Sequence, residues 1–225
     1  MRHIVSISGG TASAVAAERV INRYGRDSVT LWFADTLWED DDLYRFLKDL
    51  EIRWQKPMYV HREGRTPLQV AEDNHIIPNQ KIAPCSRKLK QIPFRDFLKN
   101  FAGERVTVHI GMDWKEMHRH DAPRKAYESE TVSVDFPLMW KPYEFRPYAQ
   151  IVKSWGIEPP RLYKLGFPHN NCGGRCVRQG ISEWLRLRRE FPERFAEVRD
   201  WEKAQRAIGD GRSNYAIRAG ERSRR

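Results

Sequence analysis

Long apolar runs are missing from this 225-residue chain: nothing in it approaches the roughly 20 consecutive apolar residues that a membrane span needs. The first residues also lack the charged-then-apolar order of a secretory signal, so the expectation is a cytoplasmic protein with no membrane partner. Cysteine is scarce. The three present, Cys85, Cys172 and Cys176, are odd in number, which argues against a disulfide framework and leaves thiols or metal ligands. Internal repeats are absent, which excludes a solenoid. Acidic residues are outnumbered, 30 Asp and Glu against 40 Lys and Arg, for a net charge of +10. Such a field favours polyanions. Charge alone does not choose between a polyanionic partner and a solvated helix face followed by a basic tail.

What is present is enough apolar material, 40% of residues, to bury a core as one domain with a small appended module. His3 to Ser8 reads as a buried strand and Ala12 to Tyr24 as a helix that ends at Gly25. A second strand runs from Ser28 to Ala34, and Leu43 to Leu50 has helical spacing. Trp54 to Val60 reads as a third strand, Thr66 to Asn74 as a short helix, and Pro84 to Lys99 as a loop entering a helix. Arg105 to Ile110 gives a further strand, ending at Gly111. This alternation predicts an α/β fold, a parallel sheet with helices on both faces, whose ligands sit beyond the carboxyl ends of the strands. Gly9, Asp35 and Gly111 all fall there.

From Asp135 the texture changes to prolines and aromatics, predicting a loop-rich wrap or lid before helices at Ser182 to Arg189 and Pro192 to Ile208. The expected organisation is a nucleotide-binding core over 1–134, a cysteine-bearing region packed on it over 135–209, and a flexible basic tail over 210–225.

A strand that runs at once into Ser8, Gly9, Gly10, Thr11, Ala12 and Ser13 and then a helix makes an anion site: glycines let N–H groups approach phosphate, and the helix dipole favours negative charge. The segment SISGGTAS resembles the SGGxxS phosphate loop of the adenine nucleotide alpha hydrolases. FADTLWED is similar to the second-strand motif of the phosphoadenosine-phosphosulfate reductase-like branch of that superfamily. CSRKLKQIP (Cys85 to Pro93), IGMDWKEMHR (Ile110 to Arg119) and WGIEPPRLYKLGFPHNNCGGRC (Trp155 to Cys176) resemble later blocks of the branch, in order.

The resemblance implies a flavodoxin-like or Rossmann-like sheet that binds ATP or a related adenine nucleotide. Ser6, Ser8, Gly9, Gly10, Thr11 and Ser13 would line the phosphates, Phe33 and Asp35 would flank adenine or ribose, and Gly111 with Met112 would close over the base. Thr11-Ala12 stands where the family loop carries a polar pair, and the carboxylate that helps place Mg2+ is missing. Asp35, Asp113 or Glu116 would have to substitute, and Lys88 or Lys90 would assist at the phosphates. Asp35, Lys88 and Glu116 are the candidate catalytic residues.

No cysteine follows Cys176, where thioredoxin-linked members of the branch carry a nucleophile. Three thiolates from two distant loops, Cys85 and the pair Cys172 and Cys176, are similar to the arrangement by which thiolating members hold three corners of a [4Fe–4S] cluster, leaving one iron open. Arg87, Lys88, Lys90 and Arg175 would offset its charge. His169 would complete a Cys₃His zinc site instead, and plain reduced thiols are the third alternative.

Three functions stay open. The first is adenylation of a nucleic-acid base, tRNA or DNA, with sulfur from the cluster or a donor protein displacing AMP. Trp114, Trp140, Tyr143 and Trp155 would stack an extruded base. The second is reduction of an adenylyl sulfate. The third is a non-catalytic nucleotide-binding accessory of a mobile-element or CRISPR-type defence locus. A dimer is the expected assembly.

Overall fold

The computed structural model describes residues 1–208, so the expected basic tail lies outside the described residues. Five strands form one all-parallel sheet: β1 (Arg2–Ile7), β2 (Val29–Asp35), β3 (Tyr59–Arg62), β4 (Val106–Ile110) and β5 (Val132–Asp135), in the order β3-β2-β1-β4-β5. β1 is central, with Val5 in register with Leu31 on one side and His109 on the other. Its neighbour β2 is buried almost throughout, as a parallel strand covered on both faces must be.

Alternate residues of these strands feed two cores. Val5, Ile7, Leu31 and Phe33 pack with α1 (Thr11–Tyr24), α2 (Asp41–Trp54) and α6 (Tyr148–Ser154). Ile4, Trp32, Ala34 and Val108 face the other way, against Phe94 and Phe97 of α4 (Ile92–Leu98). α1 sits close because Ala14, Ala16 and Ala17 are its buried face. α2 starts at Asp40, which caps it by accepting from Asp42 N at 3.0 Å, and Asp41 and Asp42 in its first turn suit the helix dipole. The capped helix outruns the expected Leu43–Leu50 core and takes in Trp54, so the third strand is only Tyr59–Arg62. Short helices α3 (Pro67–Asp73), α5 (Asp121–Tyr127) and α7 (Arg161–Lys164) complete the connections.

The chain winds outward from β1 through β2 to β3, then returns to the other side for β4 and β5. Direction therefore reverses between β1 and β4, which opens a crevice beyond their carboxyl ends. The region after β5 is more ordered than its proline content suggests. α6 closes over α1, and α8 (Ile181–Glu190) and α9 (Pro192–Ile208) form a third cluster with Trp38, Leu162, Phe167 and Cys172. No helix among the described residues is long and apolar enough to cross a membrane.

Candidate functional site

The loop between β1 and α1 is stitched by its own hydroxyls. Ser13 Oγ accepts from Ser8 N at 3.1 Å and from Ser8 Oγ at 3.1 Å, and donates to Gly10 O at 2.9 Å. Gly9 turns at φ +76°, and a Cβ there would lie 2.5 Å from Leu43 Cδ1, so the position needs glycine both for conformation and for space. At the end of β4 a Cβ on Gly111 would lie 2.8 Å from the backbone of Ser13. The strand end and the helix start are therefore in direct contact.

Two chambers open from this crevice. The first, of 530 Å³, holds the phosphate loop (Ser8, Gly10, Ser13) with Gly111, Met112 and Glu116. The second, of 740 Å³, is floored by Pro123, Ala126 and Tyr127 and holds Thr36, Cys85 and Lys90. Ser6, Met112, Arg119, Asn171, Cys176 and Arg178 are among the residues that line both, so the two chambers adjoin.

The loop after β2 builds the second chamber from below. Thr36 Oγ1 donates to Glu39 Oε1 at 2.8 Å, and Glu39 Oε2 accepts from Cys172 N at 2.5 Å, so a nearly buried carboxylate fixes the cysteine loop. Lys90 Nζ lies 3.8 Å from Glu39 Oε1. Burial opposes the Lys90 charge, but Glu39 and the sulfurs of Cys172, Cys176 and Cys85 outweigh it and hold the ammonium above its usual range. The two nearest thiols split. Cys172 donates a hydrogen bond to Cys176, which makes Cys176 the more acidic and pushes Cys172 up, while burial raises Cys85. All three cysteines line the second chamber.

Ser6, Ser8, Gly10, Ser13, Gly111, Met112 and Glu116 line the phosphate-loop chamber. Other expected site residues lie elsewhere. Phe33 is 2% exposed within the α1–α2 core and is not among the residues lining the two chambers. Asp35 is engaged by Leu37 N, Tyr44 Oη and Arg62 Nε at 2.8 to 2.9 Å, so its oxygens are occupied away from both chambers. Lys88 lies in a separate depression with Tyr59, His61 and Asp96. Two residues apart on a helical turn point opposite ways, and here a π-helical turn over Ser86–Gln91 gives the chamber to Lys90. Arg175 bonds Trp38 O and Glu197 rather than a sulfur. Glu116 is paired with Arg119. Of the four proposed stacking aromatics, Trp140 and Trp155 pack on the core, whereas Trp114 and Tyr143 are about half exposed.

Among the described residues no group of three or more His, Cys, Asp or Glu side chains is arranged to hold a metal ion. His169 lines the phosphate-loop chamber, while Cys85 and Cys172 line the other, so the Cys₃His zinc arrangement is not formed. Tyr163 and Asn170, which the sequence reading passed over, both reach the phosphate loop.

A five-stranded parallel sheet with this loop and this reversal is an α/β architecture of the phosphoadenylyl-sulfate reductase-like fold. The crystal structure of phosphoadenylyl-sulfate (PAPS) reductase from Candida auris, a phosphate complex, is similar at a TM-score of 0.54, with 17% identity over 76% of this chain and 81% of that one. No protein-family model matches the chain, and no curated protein matches its sequence.

Proposed function

We propose that the chain is an adenine-nucleotide-dependent sulfur-transfer enzyme acting on a nucleic-acid base, with the nucleotide in the phosphate-loop chamber and the acceptor above Lys90 and Tyr127. One observation carries the reading: the two chambers adjoin along residues they share, Cys176 among them. In the chemistry envisaged, a carbonyl oxygen of the base attacks the α-phosphorus of ATP, the α–β bond breaks and pyrophosphate leaves. Sulfide-level sulfur, supplied as hydrosulfide by a donor, then adds to the activated carbon; the C–O bond breaks, AMP departs with the oxygen, and loss of the sulfur's proton leaves the thiocarbonyl. The α1 dipole, at the helix start beside the chamber, would stabilise charge on the leaving pyrophosphate. Glu116 lines the phosphate-loop chamber and is the carboxylate proposed for Mg2+, which it would hold by giving up its pair with Arg119.

Cys85, Cys172 and Cys176 are the residues that would hold a [4Fe–4S] cluster; they open on one chamber but are not arranged as a metal-holding group, so binding would have to draw their two loops together. Such a cluster would supply an open iron for sulfur. Lys90 balances the charge that three thiolates bring.

The fold neighbour favours a second reading, an adenylyl-sulfate reductase. Incubation with ATP and Mg2+ separates them. Pyrophosphate release that requires added tRNA or single-stranded DNA is the expected result; sulfite release from an adenylyl sulfate supports the second reading, and no turnover under either condition leaves an accessory nucleotide binder. Anaerobically purified protein is expected to be brown with broad visible absorption. Colourless protein with one equivalent of zinc would remove the cluster from the proposal.

A further inference from the structure

The phosphate loop is touched by two side chains that come from far along the chain. Thr11 N donates to Tyr163 Oη at 3.4 Å, and a Cβ on Gly10 would lie 2.9 Å from the same oxygen. Because the Tyr163 oxygen accepts from the loop, its proton is free to point into the chamber that the side chain lines. Burial pushes the Tyr163 phenol up, so that proton stays in place at neutral pH.

Asn170 is 2% exposed and lines the same chamber. Its Nδ2 donates to Gly9 O at 3.1 Å, and its Oδ1 is buried without a partner. The orientation is forced, because a carbonyl oxygen such as Gly9 O can only accept. Oδ1 also can only accept, so the partner it lacks is a donor. A buried acceptor without a donor is costly enough that native structures rarely leave one. Phosphate at neutral pH does not supply a donor. The nearest donors on a nucleotide held by its phosphates are the ribose hydroxyls.

We propose that Asn170 Oδ1 receives a ribose hydroxyl of the bound nucleotide while the Tyr163 hydroxyl donates to its phosphate, so that the chamber selects adenosine 5′-nucleotides with free ribose hydroxyls. A 3′-phosphate would bring an acceptor-only, charged group against an acceptor-only oxygen. The selectivity is thus opposite to that implied by the name of the fold neighbour, whose substrate carries a further phosphate. The inference rests on the nucleotide reading above.

The experiment is a calorimetric affinity panel on the full chain with AMP, 2′-deoxy-AMP, 3′-deoxy-AMP and adenosine 3′,5′-bisphosphate. Wild type is expected to bind AMP about tenfold more tightly than at least one deoxynucleotide and than the bisphosphate, in line with one buried hydrogen bond lost. Asn170→Ala is expected to bind AMP and that deoxynucleotide equally. Tyr163→Phe is expected to weaken all four ligands by a similar factor and keep the hydroxyl preference. Equal binding of AMP and both deoxynucleotides by wild type overturns the inference while leaving the nucleotide reading intact. So does tighter binding of the bisphosphate, or a preference that survives in Asn170→Ala. Failure of wild type to bind AMP or ATP overturns the nucleotide reading itself. If Asn170→Ala does not fold, the wild-type panel alone decides.

Discussion

Gly111 has no room for a side chain, although nothing about its backbone demands glycine. Its missing Cβ is the space in which Ser13 Cα sits, and the obstruction is backbone rather than a side chain that can turn aside. Gly111→Ala is therefore expected to push β4 and α1 apart at about 1–3 kcal/mol, the usual range for overpacking. A thermal scan should show a melting temperature lower by about 3–10 °C, with nucleotide affinity reduced alongside.

His109 is a second residue whose environment makes a measurable claim. It is fully buried, 3.0 Å from His3 by their ring nitrogens and 3.5 Å from Asp135. Burial lowers its pKa to about 4, Asp135 opposing and His3 and Arg23 adding to the fall. A histidine whose folded pKa lies below its unfolded value stabilises the fold fully above about pH 6.5, and that stability is lost as pH falls towards 4. Denaturation in urea at steps from pH 7 to 4.5 should show a loss approaching about 3 kcal/mol over the full window. His109→Gln should flatten the curve.

Residue positions are legible in sequence where the backbone decides them and not where side-chain direction does. Small residues after a buried strand mark a tight strand-to-helix loop without any knowledge of packing, which is why the turn carrying Ser8, Gly10 and Ser13 could be located. Phe33 and Asp35 adjoin the site along the chain, but alternation on β2 sends Phe33 into the core and Tyr44 and Arg62 claim Asp35. Lys88 and Lys90 are indistinguishable by composition. Only the turn they sit on separates them.

At the scale of elements, Asp40 joins three parts of the fold. It caps α2, accepts from Arg161 of α7 at 2.9 Å and from Arg194 of α9 at 2.7 Å, and is itself fully buried. Burial would raise its pKa, but the two guanidiniums hold the carboxyl below the usual carboxylate range. Arg194 also donates to Gly173 O at 2.9 Å, so this acid helps to hold the cysteine loop. Asp40→Asn leaves two cations facing a neutral group and is expected to cost about 3 kcal/mol, at the lower end for a broken buried pair because Arg161 is partly exposed. Urea unfolding checks the cost. Maleimide labelling of Cys176 should also speed up relative to wild type.

Elements with strong periodicity, β1, α1, β4 and α9, were legible within a residue or two. β5 and α6 were not, because a four-residue edge strand and a helix begun by Pro147 carry too few residues for a period to emerge. Tertiary packing, through Ile151 and Val152 on the α1 core, gives α6 its stability.

For the whole molecule, the positive balance becomes specific at the crevice. Arg119 and Arg178 line both chambers and are exposed, and Lys115 is exposed beside Trp114. If a polynucleotide threads this mouth, its affinity should fall linearly in log–log coordinates with added salt. The double substitution Arg119→Gln with Arg178→Gln should reduce that slope by about 1–1.5, as judged by fluorescence anisotropy of labelled single-stranded RNA. An unchanged slope would place the contact elsewhere on the surface.

The lining that Cys176 and its neighbours share between the chambers bears on the order of events in the proposed reaction. Adjoining chambers suit direct attack of one occupant on the other, so the proposal requires both to be aboard before either is changed. Initial rates measured with the two substrates varied together are expected to give intersecting reciprocal lines, the pattern of a ternary complex, and a parallel set would mean that the halves of the reaction are separated in time.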